Sequence, residues 1–127
     1  MTSLASVLGV LMAILQAHPL CKRVAVVEIK QFSADQFSFK IRAVLLKEDA
    51  QLQVRMYYNR GHLDYAYQLF SDAPLVRWDN KEEFRHLGSY PHHHHDAQGR
   101  VLPSPLTGEP VQDIAIVLQE VTAFLEG

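Results

Sequence analysis

Phe37-Ser38-Phe39-Lys40-Ile41-Arg42-Ala43 alternates apolar and polar residues at every step. A period of two marks a β-strand with one buried face, because successive side chains leave opposite sides of the backbone. The alternation returns in Leu52-Gln53-Val54-Arg55-Met56-Tyr57-Tyr58 and again in Leu63-Asp64-Tyr65-Ala66-Tyr67-Gln68-Leu69. Between these two runs, Asn59-Arg60-Gly61 is a tight-turn signal. Ser33-Ala34-Asp35, Lys47-Glu48-Asp49-Ala50 and Ser71-Asp72-Ala73-Pro74 supply the other turns. Upstream, Val24-Ala25-Val26-Val27-Glu28-Ile29 is β-branched and reads as a strand; downstream, Leu75 to Trp78 makes a short fifth one. Parallel neighbours need long crossovers, and these connections are short. The reading is an antiparallel meander of four to five strands.

Single-face alternation requires a cover, and the ends of the chain provide candidates. Ser3 is an N-cap, and Leu4, Val7, Leu8, Leu11 and Leu15 repeat at helical spacing, with Met12 and Ile14 broadening the stripe. His18-Pro19 ends that helix, since the residue before proline avoids the α region. Glu109-Pro110 opens a last helix whose face is Ile114, Val117, Leu118, Val121 and Leu125, supported by Phe124. Residues 80 to 110 show neither period and read as one long loop rich in His, Pro, Gly and charge; long loops in small domains tend to be functional. The fold class expected is α+β in a single domain, residues 1 to 127.

Composition narrows the function classes. Hydrophobic residues are 48% and charged residues 20% of the 127, enough for a packed core. A net charge of −2 argues against a protein that coats nucleic acid generically. The one cysteine, Cys21, allows no internal disulfide, which suits a reducing cytoplasm and a role as a small hydrophobe. The first 21 residues carry no Asp, Glu, Lys or Arg, yet no positive leader segment or convincing cleavage site accompanies them. That apolar run is too short and interrupted to span a membrane. It could instead pair with a second copy of itself as a homodimer.

Five of the seven histidines lie between His86 and His95. Imidazoles beside an Asp and an Asn concentrate groups that move protons or bind metals near neutral pH. In extended backbone His93 and His95 face one way, His92 and His94 the other. Three readings stand together: an acid–base loop, a metal site drawing on His93, His95, Asp79 and His86, or histidines that tie the loop to the sheet edge. The spacing matches no zinc signature. Asp79 suits the task of orienting an imidazole, or that of an Asx-turn closing the strand; Asn80 suits the left-handed conformation. Arg77 alternates with Trp78, so Trp78 goes to the core and Arg77 outward, to hold a phosphate or to pair with Asp72 or Glu82. Tyr65 and Tyr67 fall on the core face. No phosphate loop, dinucleotide fingerprint or serine-nucleophile elbow is present.

Tyr65-Ala66-Tyr67-Gln68, Arg77-Trp78-Asp79-Asn80, Pro91-His92-His93-x-His95 and the later Ser104-Pro105 come in an order that resembles the TumE-type family of bacterial toxin–antitoxin toxins. The resemblance covers the second half of the chain well, and the first half by its helix-plus-strands pattern. Members run Arg-aromatic-Asp-Asn into Ala-Pro-His-His, and later Phe-Pro-His-His-Lys-His. Here Lys81-Glu82-Glu83-Phe84-Arg85-His86 follows Asn80, and His94 stands at the lysine position. The matching positions are Arg77, Asp79, Asn80, His92, His93 and His95. The resemblance implies a small cytoplasmic toxin that acts on RNA and is neutralised by an antitoxin protein.

The expected chemistry is cofactor-free RNA cleavage, with His93 and His95 as acid and base, Asp79 orienting them and Arg77 on the phosphate. Lys40, Arg42 and Arg55 would follow the RNA backbone and Tyr57 would stack a base, unless they simply form a solvated strand face. The alternatives are a non-enzymatic interaction module whose His-rich loop docks a partner, and a metal-dependent hydrolase.

Overall fold

A computed structural model describes residues 2–47 and 49–127. The first helix, α1 (Leu4–Ala17), begins at a reciprocal cap: the Ser3 side chain accepts from the Ser6 amide at 3.1 Å, and the Ser6 hydroxyl accepts from the Ser3 amide at 3.1 Å. Seven strands follow: β1 (Cys21–Ser33), β2 (Gln36–Leu45), β3 (Gln51–Asn59), β4 (His62–Phe70), β5 (Pro74–Asp79), β6 (His93–His95) and β7 (Val101–Pro103). Helix α2 (Pro110–Glu126) closes the chain. Each strand pairs antiparallel with the next in sequence, so the sheet is a single meander in the order β1 to β7.

The α+β architecture agrees with the sequence reading, and the strand count exceeds it. Residues 80 to 110, expected to be one loop, contain β6 and β7. Strands of three residues are too short to show a period, and they form because the free edge of β5 offers a backbone ladder. The turn expected at Lys47-Glu48-Asp49-Ala50 includes Glu48, which lies outside the described residues. The β3–β4 hairpin has positive φ at both central residues, Arg60 (50°) and Gly61 (88°), the geometry whose twist matches its strands.

One sheet face packs on both helices. Phe37, Phe39, Ile41, Leu52, Val54, Met56, Tyr67, Leu69 and Trp78 are buried against Val7, Leu11 and Leu15 of α1 and Ile114, Val117, Leu118 and Val121 of α2. Val7, Leu11 and Leu15 of α1 are therefore occupied within their own chain, while Leu4, Leu8, Met12 and Ile14 are only partly buried. Among the described residues no helix is long and apolar enough to cross a membrane.

Among the described residues no helix covers the other sheet face. Directly opposed residues share a face, so the register draws two rows across it. The first runs Lys40, Arg55, Ala66, Asp79, His93; the second runs Arg42, Gln53, Gln68, Arg77, His95.

Candidate active site

Strands β5 and β6 build the centre of the open face. Asp79 is opposite His93 and Arg77 is opposite His95. His93 Nε2 lies 2.8 Å from Asp79 Oδ1, and His95 Nε2 lies 3.7 Å from Asp79 Oδ2. Arg77 Nε donates to Asp79 Oδ2 at 2.7 Å, and the Lys81 amide donates to Oδ1 at 3.0 Å. These two bonds fix the buried carboxylate in orientation. The two imidazoles meet edge to face, with centroids 4.9 Å apart.

Phe84 completes the wall. The segment after β5 folds back so that its ring stands on His93 at 4.7 Å and beside His95 at 6.0 Å. His93 is consequently only 1% exposed, whereas the His95 side chain keeps 33% of its surface. On the other side of His93, Nδ1 lies 3.2 Å from the Pro91 carbonyl. Burial lowers the pKa of His95 below the ordinary imidazole value; the charge of Asp79 works against that shift, and His93 adds to it.

A hollow of about 350 Å³ opens next to this cluster, lined by Arg55, Tyr57, Asp64, Tyr65, Arg77, Asp79, Asn80 and Lys81. Among the described residues Arg55 makes no salt bridge, so its charge is free for an incoming anion. Lys40 instead sits 3.8 Å from Glu28, and Arg42 donates to Gln53 at 3.0 Å while lying 5.8 Å from the Phe70 ring. Tyr57 accepts from Gln36 at 2.9 Å. Of the four residues expected to contact a nucleic acid, Arg55 and Tyr57 line the hollow next to the cluster and Lys40 and Arg42 lie farther along the sheet.

A roomier cleft, about 580 Å³, lies on the helix side between α2 and the β6–β7 hairpin, lined by Trp78, His94, Arg100 and Phe124 among others. Its Trp78 and Glu120 are bound to each other at 2.7 Å. The smaller hollow is the better candidate, because Arg55, Arg77 and Lys81 gather there around Asp79, the carboxylate of the cluster.

The remaining expected site residues fall elsewhere. Asn80 is a bridge within the sheet: its side chain accepts from the Tyr65 amide at 2.9 Å and donates to the Leu63 carbonyl at 2.7 Å. It locks the end of β5 to β4 and so positions Asp79. His92 belongs to the helix side, with Nδ1 2.7 Å from the Tyr65 hydroxyl and the two rings stacked. Burial lowers its pKa, as it does that of His94, whose ring lies against Trp78 at 5.1 Å. His86 is exposed, edge-on to Phe84 at 6.4 Å, and stands outside the cluster that Asp79, His93 and His95 form.

Phe84 is the residue that sequence reasoning missed. Its signal was an apolar side chain alone in a charged run, Lys81-Glu82-Glu83-Phe84-Arg85. Asp113 was missed as well. It is fully buried in the first turn of α2 and accepts from the Thr107 amide (2.9 Å), the Thr107 hydroxyl (3.0 Å) and the Gly108 amide (2.8 Å), clamping the segment that leads from β7 past His92.

A small α+β protein with a carboxylate–imidazole cluster on an open sheet face is what the geometry defines. The chain belongs to the TumE toxin family, whose model, Toxin TumE, matches residues 11–126. It is thus a toxin component. No curated protein and no solved structure matches the chain.

Proposed function

We propose that this toxin cleaves RNA on the open face of the sheet, at the Asp79–His93–His95 cluster, and that an antitoxin protein holds it silent. One observation carries the reading: Arg55, Arg77 and Lys81 surround a hollow whose wall is the Asp79 end of the cluster. Guanidinium forks suit a phosphodiester, and Tyr57 at the rim offers a ring for a base. The net charge of −2 fits a local cationic patch rather than a protein that coats nucleic acid.

In this reading the ribose 2′-oxygen bonds to phosphorus as the bond to the 5′-oxygen breaks. The 2′ proton passes to water at the open edge of the cluster beside the partly exposed His95, and the departing 5′-oxygen takes a proton from water, giving a cyclic phosphate and a free 5′-hydroxyl. Arg77 and Arg55 stabilise the charge on the phosphoryl oxygens. His93, sealed beneath Phe84, does not touch the substrate in this arrangement. It acts on the cluster from within, a different division of labour from the two-imidazole acid–base pair expected from the sequence.

The test is cleavage of a labelled RNA by purified toxin beside His95→Ala and Arg55→Ala. Wild type is expected to give fragments ending in cyclic phosphate, His95→Ala none, and Arg55→Ala a raised KM with a shallower salt dependence. Equal cleavage by wild type and His95→Ala, or no cleavage of any RNA by wild type, overturns the proposal.

A further inference from the structure

We infer that Asp79, His93 and His95 bind a divalent first-row cation of the zinc class. The inference deepens the RNA-cleavage reading by naming what the cluster holds, and its binding step stands apart from that reaction. The first support is convergence. One ligand atom from each of the three side chains lies within 4.8 Å of the others, and all three project from the same face of two hydrogen-bonded strands. Strands hold such side chains more firmly than loops do.

The second support is a buried nitrogen with nothing to bond. Nδ1 of His93 faces the Pro91 carbonyl, which only accepts, so the ring proton belongs on Nδ1. That leaves a lone pair on Nε2. Among the described residues this buried atom has no hydrogen-bond partner, although Asp79 Oδ1 is only 2.8 Å away. An imidazole lone pair against a carboxylate oxygen is repulsive. A cation between them makes the same contact attractive. His95 Nε2 also stops short of a hydrogen bond to the carboxylate, at 3.7 Å. Three donor atoms thus crowd together without bonding one another, as ligands to a common ion do.

The donor chemistry selects the ion. Two imidazoles and one carboxylate suit zinc and its neighbours, whereas magnesium and calcium prefer oxygen alone. A ring nitrogen tied to a backbone carbonyl is the usual support of a ligating histidine, and Arg77 with the Lys81 amide supports the carboxylate in the same way. Phe84 closes one side and the partly exposed His95 leaves the other open. Three protein ligands with an open position define a catalytic rather than a structural site. Bound there, the cation would act as a Lewis acid beside the hollow that takes the phosphodiester.

The experiment is titration of the EDTA-treated, dialysed full chain with ZnCl₂ and, separately, MgCl₂, followed by calorimetry and thermal melting. One equivalent of zinc and a raised Tm are expected, with no response to magnesium. His95→Ala, whose ring is at the rim and whose loss leaves the core intact, should weaken zinc binding at least about 10-fold. Asp79→Asn should do the same, with far-UV circular dichroism to confirm its fold. His86→Ala, exposed and outside the cluster, should leave binding unchanged. No zinc uptake, or uptake indifferent to His95→Ala, overturns the inference. Zinc bound at this site without any RNA cleavage would sink the proposed function and leave the metal site standing. Cleavage by a protein that takes up no zinc would do the reverse.

Discussion

Replacing Asp113 should separate the loss of one hydrogen bond from the loss of a whole clamp. The carboxylate is fully buried and accepts three bonds, from the Thr107 amide and hydroxyl on Oδ1 and from the Gly108 amide on Oδ2. In Asp113→Asn the carbonyl oxygen can keep both Thr107 bonds. The new NH₂ then faces the Gly108 N–H at about 2.8 Å, donor against donor. One charge-assisted bond is lost and one donor is stranded, at a cost of about 2 kcal/mol. Asp113→Ala removes all three acceptor contacts, strands two backbone N–H groups and leaves a small void, at a cost of about 4 kcal/mol. With a urea m-value of about 2 kcal/mol/M, the midpoints should fall by about 1 M and about 2 M. The only tryptophan, Trp78, is buried against α2 through Glu120, so its fluorescence reports the transition directly. If Asn costs as much as Ala, or if both shift the midpoint by less than about 0.3 M, the clamp does not work as described.

Three further outcomes follow from the geometry. Phe84→Ala should uncover His93, so that diethyl pyrocarbonate modifies one more histidine than in wild type, with a stability loss of about 1–2 kcal/mol for a half-buried ring; an unchanged count means that Phe84 is not the seal. Asn80→Asp keeps the acceptor for the Tyr65 amide but turns a carboxylate oxygen towards the Leu63 carbonyl, and should cost about 2 kcal/mol, read as a lowered Tm; a melt identical to wild type would rule out the bridging role. Burial, with a smaller contribution from Glu109, pushes Tyr58 up to about 12 from 10.0, and burial foremost holds Tyr67 well above its usual value. Both folded pKa values lie above the unfolded one, so the stability they contribute is complete below pH 10.0 and is lost as pH rises towards about 12. Urea midpoints should hold steady from pH 8 to 9.5 and fall by pH 11, with tyrosinate absorbance appearing together with unfolding; ionisation of every tyrosine in the folded state at pH 11 would contradict this.

The sheet was legible wherever a strand was long enough to repeat. Phe37 to Ala43 and Leu63 to Leu69 declare their buried face at each second residue, and Arg77-Trp78 divides between faces by the same rule. β6 was not legible. Three histidines carry no apolar alternation, and the strand exists because β5 presents an edge to it. Reading β6 as loop concealed the register that sets His93 opposite Asp79, and with it the alignment of Arg55 and the histidines on one open face. The parity of His93 and His95 could be read from extended backbone alone. Their unequal exposure could not, since it depends on where Phe84 comes to rest. Asn80 looked like a site residue because it follows the motif, and only the neighbouring strand shows what its amide binds.

Strict strand-by-strand order has a bearing on how the chain leaves the ribosome. Each strand needs only its predecessor, so the sheet can grow as synthesis proceeds, without waiting for a distant segment. Asp79 is translated 14 residues before its partner His93, and α2, which covers the core, comes after every strand. A nascent chain halted between β5 and β6 holds the carboxylate without either imidazole. If the cluster cuts RNA as proposed, a copy halted there has the anchor of the site and none of its imidazoles, and the order of the strands sets when that chemistry can begin.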